Sequence, residues 1–144
     1  MKEDYSVVFI YIDQKDNLIV IPTALSSRKT MKEINLVDVL NSPYTDEQIE
    51  DTLIKGMEKC HSIKPDESSD ESVIEKHLGI KGYSKAIKNL RLVNFRWLKD
   101  EGYSFSPNVK NRGGFASFKR INLGKILEKG QLAKAFKEVL DISS

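Results

Sequence analysis

Apolar runs and polar punctuation alternate along this chain, and the spacing of the apolar positions changes from segment to segment. VVFIYI (7–12) is β-branched and aromatic with no polar interruption, which predicts a strand buried on both faces. DQKDN turns the chain, and LIVIP predicts a second strand that Pro22, lacking a backbone donor, is expected to close. Residues 24–33 are polar and read as loop, with a weak third strand near Thr30–Leu36. Thr45 and Gln48 have capping-box spacing, and Ile49, Leu53 and Met57 follow on one helical face.

The middle has a different texture. PDESSDES (65–72) is an acidic loop in which Asp70 and Glu71 suit the start of a helix, through capping and the helix dipole. VIEKHL (73–78) predicts that helix, and Gly79 the left-handed residue that ends it. A further short helix is expected over Tyr83–Leu90, with Ala86, Ile87 and Leu90 inward. LVNFRWL (92–98) then sets Val93, Phe95 and Trp97 against Asn94 and Arg96, a strand with one buried and one wet face. KDEG turns it into YSFSP, NVKNRGG reads as a flexible loop, FASFKRI (115–121) as a third strand, and Lys129–Leu140 as the closing helix.

The second half echoes the first. INLVDVL (34–40) returns as INLGKIL (121–127), and Phe9, Tyr11, Ile12 and Pro22 have counterparts in Phe95, Trp97, Leu98 and Pro107. The four-residue spacing of Ile49, Leu53 and Met57 recurs in Leu132, Phe136 and Leu140. Two diverged copies of one unit explain the echo; unrelated recurrence of a common hairpin-then-helix motif is the plainer alternative. The expected fold is α+β: two strand–strand–strand–helix units, about 5–60 and 91–143, with a mainly antiparallel sheet. A short helical connector (61–90) joins them within a single domain, 1–144.

Composition is that of a folded globular chain, long enough to bury a core without covalent staples. Cys60 is the only cysteine, so no intrachain disulfide forms. MKEDYSVVFIYID has no secretory signal pattern, and no apolar run nears the roughly 18 residues of a membrane span, so a cytoplasmic location without membrane attachment is expected. The net charge of +2 hides a strong asymmetry. Residues 46–76 hold ten acids and four bases, whereas 81–137 hold fourteen bases and three acids. The acidic segment suits a basic protein and the basic half suits nucleic acid.

Catalytic chemistry finds little to work with. Cys60 and His61 are adjacent, and with His77 they leave a zinc site short of ligands and a Cys–His pair without facing geometry. GxSxG, GxxxxGK[ST] and GxGxxG are absent. Asp13 with Asp16, and Asp66 with Asp70, sit in hydrophilic turns where carboxylates serve solubility. The expectation is a protein that is not an enzyme and that uses neither cofactor nor metal. RGGFASF (112–118) fails as an RNA-recognition motif because Ser117 stands where a stacking aromatic is needed. Lys110 and Arg112 beside Gly113 and Gly114 remain a basic turn, and Arg91, Arg96, Lys119 and Arg120 line one basic face if the strands pair as read. A small basic nucleic-acid-binding module is therefore the alternative function.

LGIKGYSKAIKNLRLVNFRWLKDEGYSFSP (78–107) resembles the immunity proteins of bacterial contact-dependent growth inhibition systems. The likeness rests on Leu78-Gly79, a short helix centred on Tyr83, the strand from Leu92, the strand ending in Pro107, and a closing helix around Leu132. It implies a small cytoplasmic protein that binds the C-terminal toxin domain of a large surface protein, commonly a nuclease, and covers its active site or substrate surface. It carries over no individual contact residue, and the near-neutral net charge departs from the acidity common among nuclease inhibitors. A nuclease presents cations to phosphate, so carboxylates that imitate the polyanion are the expected contacts. Glu47, Glu50 and Asp51 at a helix start, with Asp66, Glu67, Asp70 and Glu71 in the following loop, are the candidates. Toward an acidic toxin, the basic face of Arg91, Arg96, Lys110, Arg112, Lys119 and Arg120 takes that place.

Overall fold

A computed structural model describes residues 4–143; Met1–Glu3 and Ser144, which the sequence reading placed in the domain and in the signal-free N-terminus, lie outside the described residues. The first half contains β1 (Tyr5–Ile12), β2 (Leu18–Leu25), β3 (Met31–Glu33), β4 (Asp38–Leu40) and α1 (Asp46–Lys59). The connector holds α2 (Val73–Leu78) and α3 (Tyr83–Ala86). The second half repeats the series as β5 (Arg91–Leu98), β6 (Gly102–Asn111), β7 (Gly114–Ser117), β8 (Ile121–Gly124) and α4 (Gln131–Ile142). Each unit thus has four strands where the sequence predicted three. The added ones, β4 and β8, fall inside INLVDVL and INLGKIL, the two phrases that exposed the echo.

The strands form one antiparallel sheet in the order β3-β2-β1-β5-β6-β7, with β4 also on β2 and β8 also on β6. The two units meet along β1 and β5, which pair from Tyr5↔Leu98 to Ile12↔Arg91. On either side the same construction recurs: the second strand carries two short outer partners, one on each half of its length.

That construction explains both prolines, and corrects their reading as strand ends. β2 runs through Pro22 to Leu25, and β6 runs through Pro107 to Asn111, so NVKNRGG is strand and tight turn, not a loop. Pro22 sits between the stretch of β2 paired with β4 and the stretch paired with β3. Pro107 sits between the β8 and β7 partners of β6. Each carbonyl points away from the sheet centre, accepting from Ile34 N (3.0 Å) and Phe118 N (3.3 Å) respectively. A residue's N and C=O face the same side of a strand. The missing N–H therefore falls where the outer partner changes, and costs no bond to β1 or β5.

Both faces of the sheet are covered. On one, α1 and α4 pack Ile49, Leu53, Leu132, Phe136 and Val139 against Val8, Ile10, Val20, Phe95 and Phe105. On the other, Val73, Ile74, Ile87 and Leu90 of the connector cover Tyr11, Ile19, Ile21 and Leu92. Each such aliphatic or aromatic side chain contributes about 1.5–3 kcal/mol on leaving water. The sheet is also curled. Along β1, β5, β6 and β7 a flat sheet would separate the outer strands by about 14 Å. Yet the rings of Tyr11 on β1 and Phe115 on β7 are centred 6.4 Å apart. This curl corrects one more expectation: the polar face of LVNFRWL is not wet, because Asn94 is buried and Arg96 half-buried inside it.

Candidate partner interface

The seven candidate acids fall into two groups at opposite ends of α1. Glu47, Glu50 and Asp51 occupy its first turns, beside the β1–β2 turn that Tyr44 Oη joins through Asp16 O (3.0 Å). Asp66, Glu67, Asp70 and Glu71 lie in the loop beyond its C-terminus, which runs past the β2–β3 hairpin. A helix of 14 residues spans about 20 Å, so the two groups do not form one patch.

Three of the seven already work within the molecule. Glu50 accepts from Gly130 N (3.2 Å) and Ala133 N (3.1 Å), supplying from α1 the cap that α4 lacks in its own chain segment. Glu67 accepts from the hydroxyl (2.8 Å) and amide (3.1 Å) of Ser27, contacts that hold its carboxyl below the usual range. Asp66 is held low by the Ser68 hydroxyl (2.6 Å) and amide (3.0 Å), and it pairs with Lys76 at 3.4 Å. The carboxylates of Glu47, Asp51, Asp70 and Glu71 have no hydrogen-bond or ion-pair partner among the described residues. Asp70 and Glu71 do not cap α2; Ser72 does, in a reciprocal box with Glu75.

The basic candidates are dispersed as well. Arg91 caps α4, donating to Leu140 O (2.9 Å), and pairs with Asp16 (3.3 Å). Lys110 Nζ donates to Lys88 O, and Arg120 lies 3.8 Å from Glu101. Arg91 and Lys110 share a depression of about 380 Å³ with Asp13 and Asp16. Arg112 and Gly113, at φ 51° and 79°, form the two-residue turn between β6 and β7. Lys119 is exposed, and Arg96 reaches Ser117 Oγ from β5 at 3.4 Å.

Other groups came to light only in the fold. Tyr11 Oη donates to Glu33 Oε2 (2.6 Å) and lies 3.1 Å from Tyr83 Oη, while Glu33 Oε1 accepts from Ile74 N (3.3 Å). Burial pushes the Glu33 carboxyl up and the Tyr11 hydroxyl well up. A groove of about 380 Å³ between α1 and the approach to α4 has Ile54, Leu127 and Leu132 in its walls, with Asp51, Lys55 and Glu58 around them. Ile126, 81% exposed, lies in the same β8–α4 segment. Cys60 donates to Val7 O (3.4 Å) and His61 Nε2 lies 2.9 Å from Tyr5 O, so this pair serves the end of α1. Among the described residues no group of three or more His, Cys, Asp or Glu side chains is placed to hold a metal ion.

Two solved structures share this architecture over essentially their whole lengths. "Protein of Unknown Function NMB0488 from Neisseria meningitidis" matches with a TM-score of 0.73 at 12% identity, covering 100% of this chain and 99% of that one. A chain of the "CdiA-CT/CdiI toxin and immunity complex from Yersinia pseudotuberculosis" matches with a TM-score of 0.68 at 7% identity, covering 99% of each. No family model and no curated protein matches the chain. At these identities the likeness is one of fold.

Proposed function

We propose that this chain is an immunity protein that binds a cognate toxin domain and neutralises it by covering its active site or substrate surface. The observation that carries the reading is the end-to-end likeness to a chain from a toxin–immunity complex. The resemblance of residues 78–107 to growth-inhibition immunity proteins selects the immunity side of such a pair. Four carboxylates without partners among the described residues, Glu47, Asp51, Asp70 and Glu71, support a cationic partner such as a nuclease. The work asked of the protein is complementary shape and charge, without turnover, in the cytoplasm where an incoming toxin acts.

The test is co-expression with the C-terminal toxin domain encoded just upstream. Restored growth, and a one-to-one complex surviving gel filtration, are the expected results. Failure to rescue, together with salt-dependent binding of arbitrary DNA or RNA, would replace this reading with nucleic-acid binding, since phosphate contacts release counterions.

A further inference from the structure

Inside the curl of the sheet, β5 and β6 lay polar side chains where a core is expected. The register sets Asn94 opposite Ser106 and Arg96 opposite Ser104. Ser104, Ser106, Asn108 and Asn94 are only 2, 3, 3 and 6% exposed. Buried polar groups persist when they are hydrogen-bonded, and at one end of this strip they are. Asn108 Nδ2 donates to Asn94 Oδ1 (2.5 Å) and to two main-chain carbonyls, and Asn108 Oδ1 accepts from Ser117 Oγ (3.1 Å).

At the other end the accounting fails. Arg96 Nε and Ser104 Oγ are both enclosed, and neither has a hydrogen-bond partner among the described residues. The remaining contact of the guanidinium is a long one, Nη2 to Ser117 Oγ at 3.4 Å, at the surface. No carboxylate pairs with Arg96 among the described residues, whereas Arg91 has Asp16 and Arg120 has Glu101. An arginine held half inside a fold without a counter-charge is costly in isolation. Beside Ser117 the chain continues into Phe118, 52% exposed, and Lys119, which likewise has no ion pair among the described residues.

We propose that Arg96, with Lys119, forms a carboxylate-binding subsite that seats an acidic side chain of a protein partner, with Phe118 as its apolar flank. Nε is enclosed, so the carboxylate meets the guanidinium at its Nη nitrogens at the surface, where a charge-assisted bond supplies the missing counter-ion. A protein carboxylate fits better than a nucleic-acid backbone. A backbone needs several cations along a track, whereas Arg91 and Lys110 each donate to a main-chain carbonyl and Arg120 lies 3.8 Å from Glu101. Identifying that partner as the toxin rests on the proposed function; the subsite itself does not.

Two measurements separate these claims. The first follows the Arg96 Nε–H resonance of the full chain during titration with acetate at constant ionic strength. A saturable shift, absent with chloride and abolished in Arg96→Met, is expected; no shift beyond that of chloride overturns the subsite. The second compares wild type and Arg96→Met for melting temperature and for affinity to the cognate toxin domain. Arg96→Met is expected to melt no lower than wild type, having lost an uncompensated cation, yet to bind 10- to 100-fold more weakly (roughly the effect of losing a desolvated charge-assisted contact). Lower melting with unchanged affinity would make Arg96 merely structural. If wild type binds no toxin while the acetate shift stands, the immunity reading falls and the subsite survives. A larger shift with dimethyl phosphate, with loss of single-stranded RNA binding in the variant, would overturn the choice of a protein carboxylate.

Discussion

Glu33 brings a carboxylate from β3 to the N-terminus of α2, where Ile74 N and the Tyr11 hydroxyl both donate to it. Burial outweighs those bonds and raises its pKa, so the fold favours the protonated form. A raised carboxyl stabilises the folded state fully below the ordinary glutamate range, and that contribution is lost as pH rises through the raised value. Glu33→Gln, fixed in a neutral form, should therefore gain on wild type as pH increases through that window, as read by urea unfolding at several pH values. The reverse slope would mean that the α2 amides hold Glu33 as an anion. This residue was not legible in the sequence, because MKE carries no period and its carboxyl gains meaning only when Tyr11, Tyr83 and α2 converge on it. By contrast the box of Thr45 and Gln48 was legible, since both partners lie within one turn. Glu50 shows the limit of that logic: its spacing marks it as a surface acid, and its use is to cap a helix 80 residues away.

Elements built on short-range pattern were largely readable. β1, α1 and α2 lie where apolar spacing and capping residues put them, and α4 starts two residues later than predicted, after Gly130. The misses have a common cause. Pro22 and Pro107 were read as strand ends because a proline interrupts a ladder, and only the split outer partners reveal why it does not matter here. β4 and β8 were missed because three or four residues carry no period. Glycine is essential to the approach of β8. Gly102 begins β6 at φ +86°, and a Cβ there would lie 2.3 Å from Gly124 O. Gly79 also has positive φ, +68°, but a Cβ there meets open space. Gly102→Ala should cost about 3 kcal/mol or more, combining backbone strain with overpacking, against about 1 kcal/mol for Gly79→Ala. Equal losses in denaturant unfolding would show that the contact with β8 relaxes freely.

At the scale of the whole molecule, the charge asymmetry seen along the chain does not become two clean faces. Folding distributes the acids to both ends of α1 and commits several bases to internal bonds. Charge counts per segment could not foresee this, since they ignore which carboxylates the fold consumes. On the proposed function, the surviving carboxylates allow the end that meets the partner to be identified. Glu47→Lys with Asp51→Lys tests one end, and Asp70→Lys with Glu71→Lys the other. Whichever end faces a cationic toxin should lose about tenfold in association rate at low salt, with the loss shrinking as salt rises. If both pairs leave the rate untouched, electrostatic mimicry of a polyanion is wrong. The divided outer rim of the sheet has a further consequence. Proline and a change of partner keep β3, β4, β7 and β8 to three or four residues each. Neither border of the sheet then offers a long unbroken row of peptide groups, which should protect the protein from stacking with its own copies into insoluble aggregates.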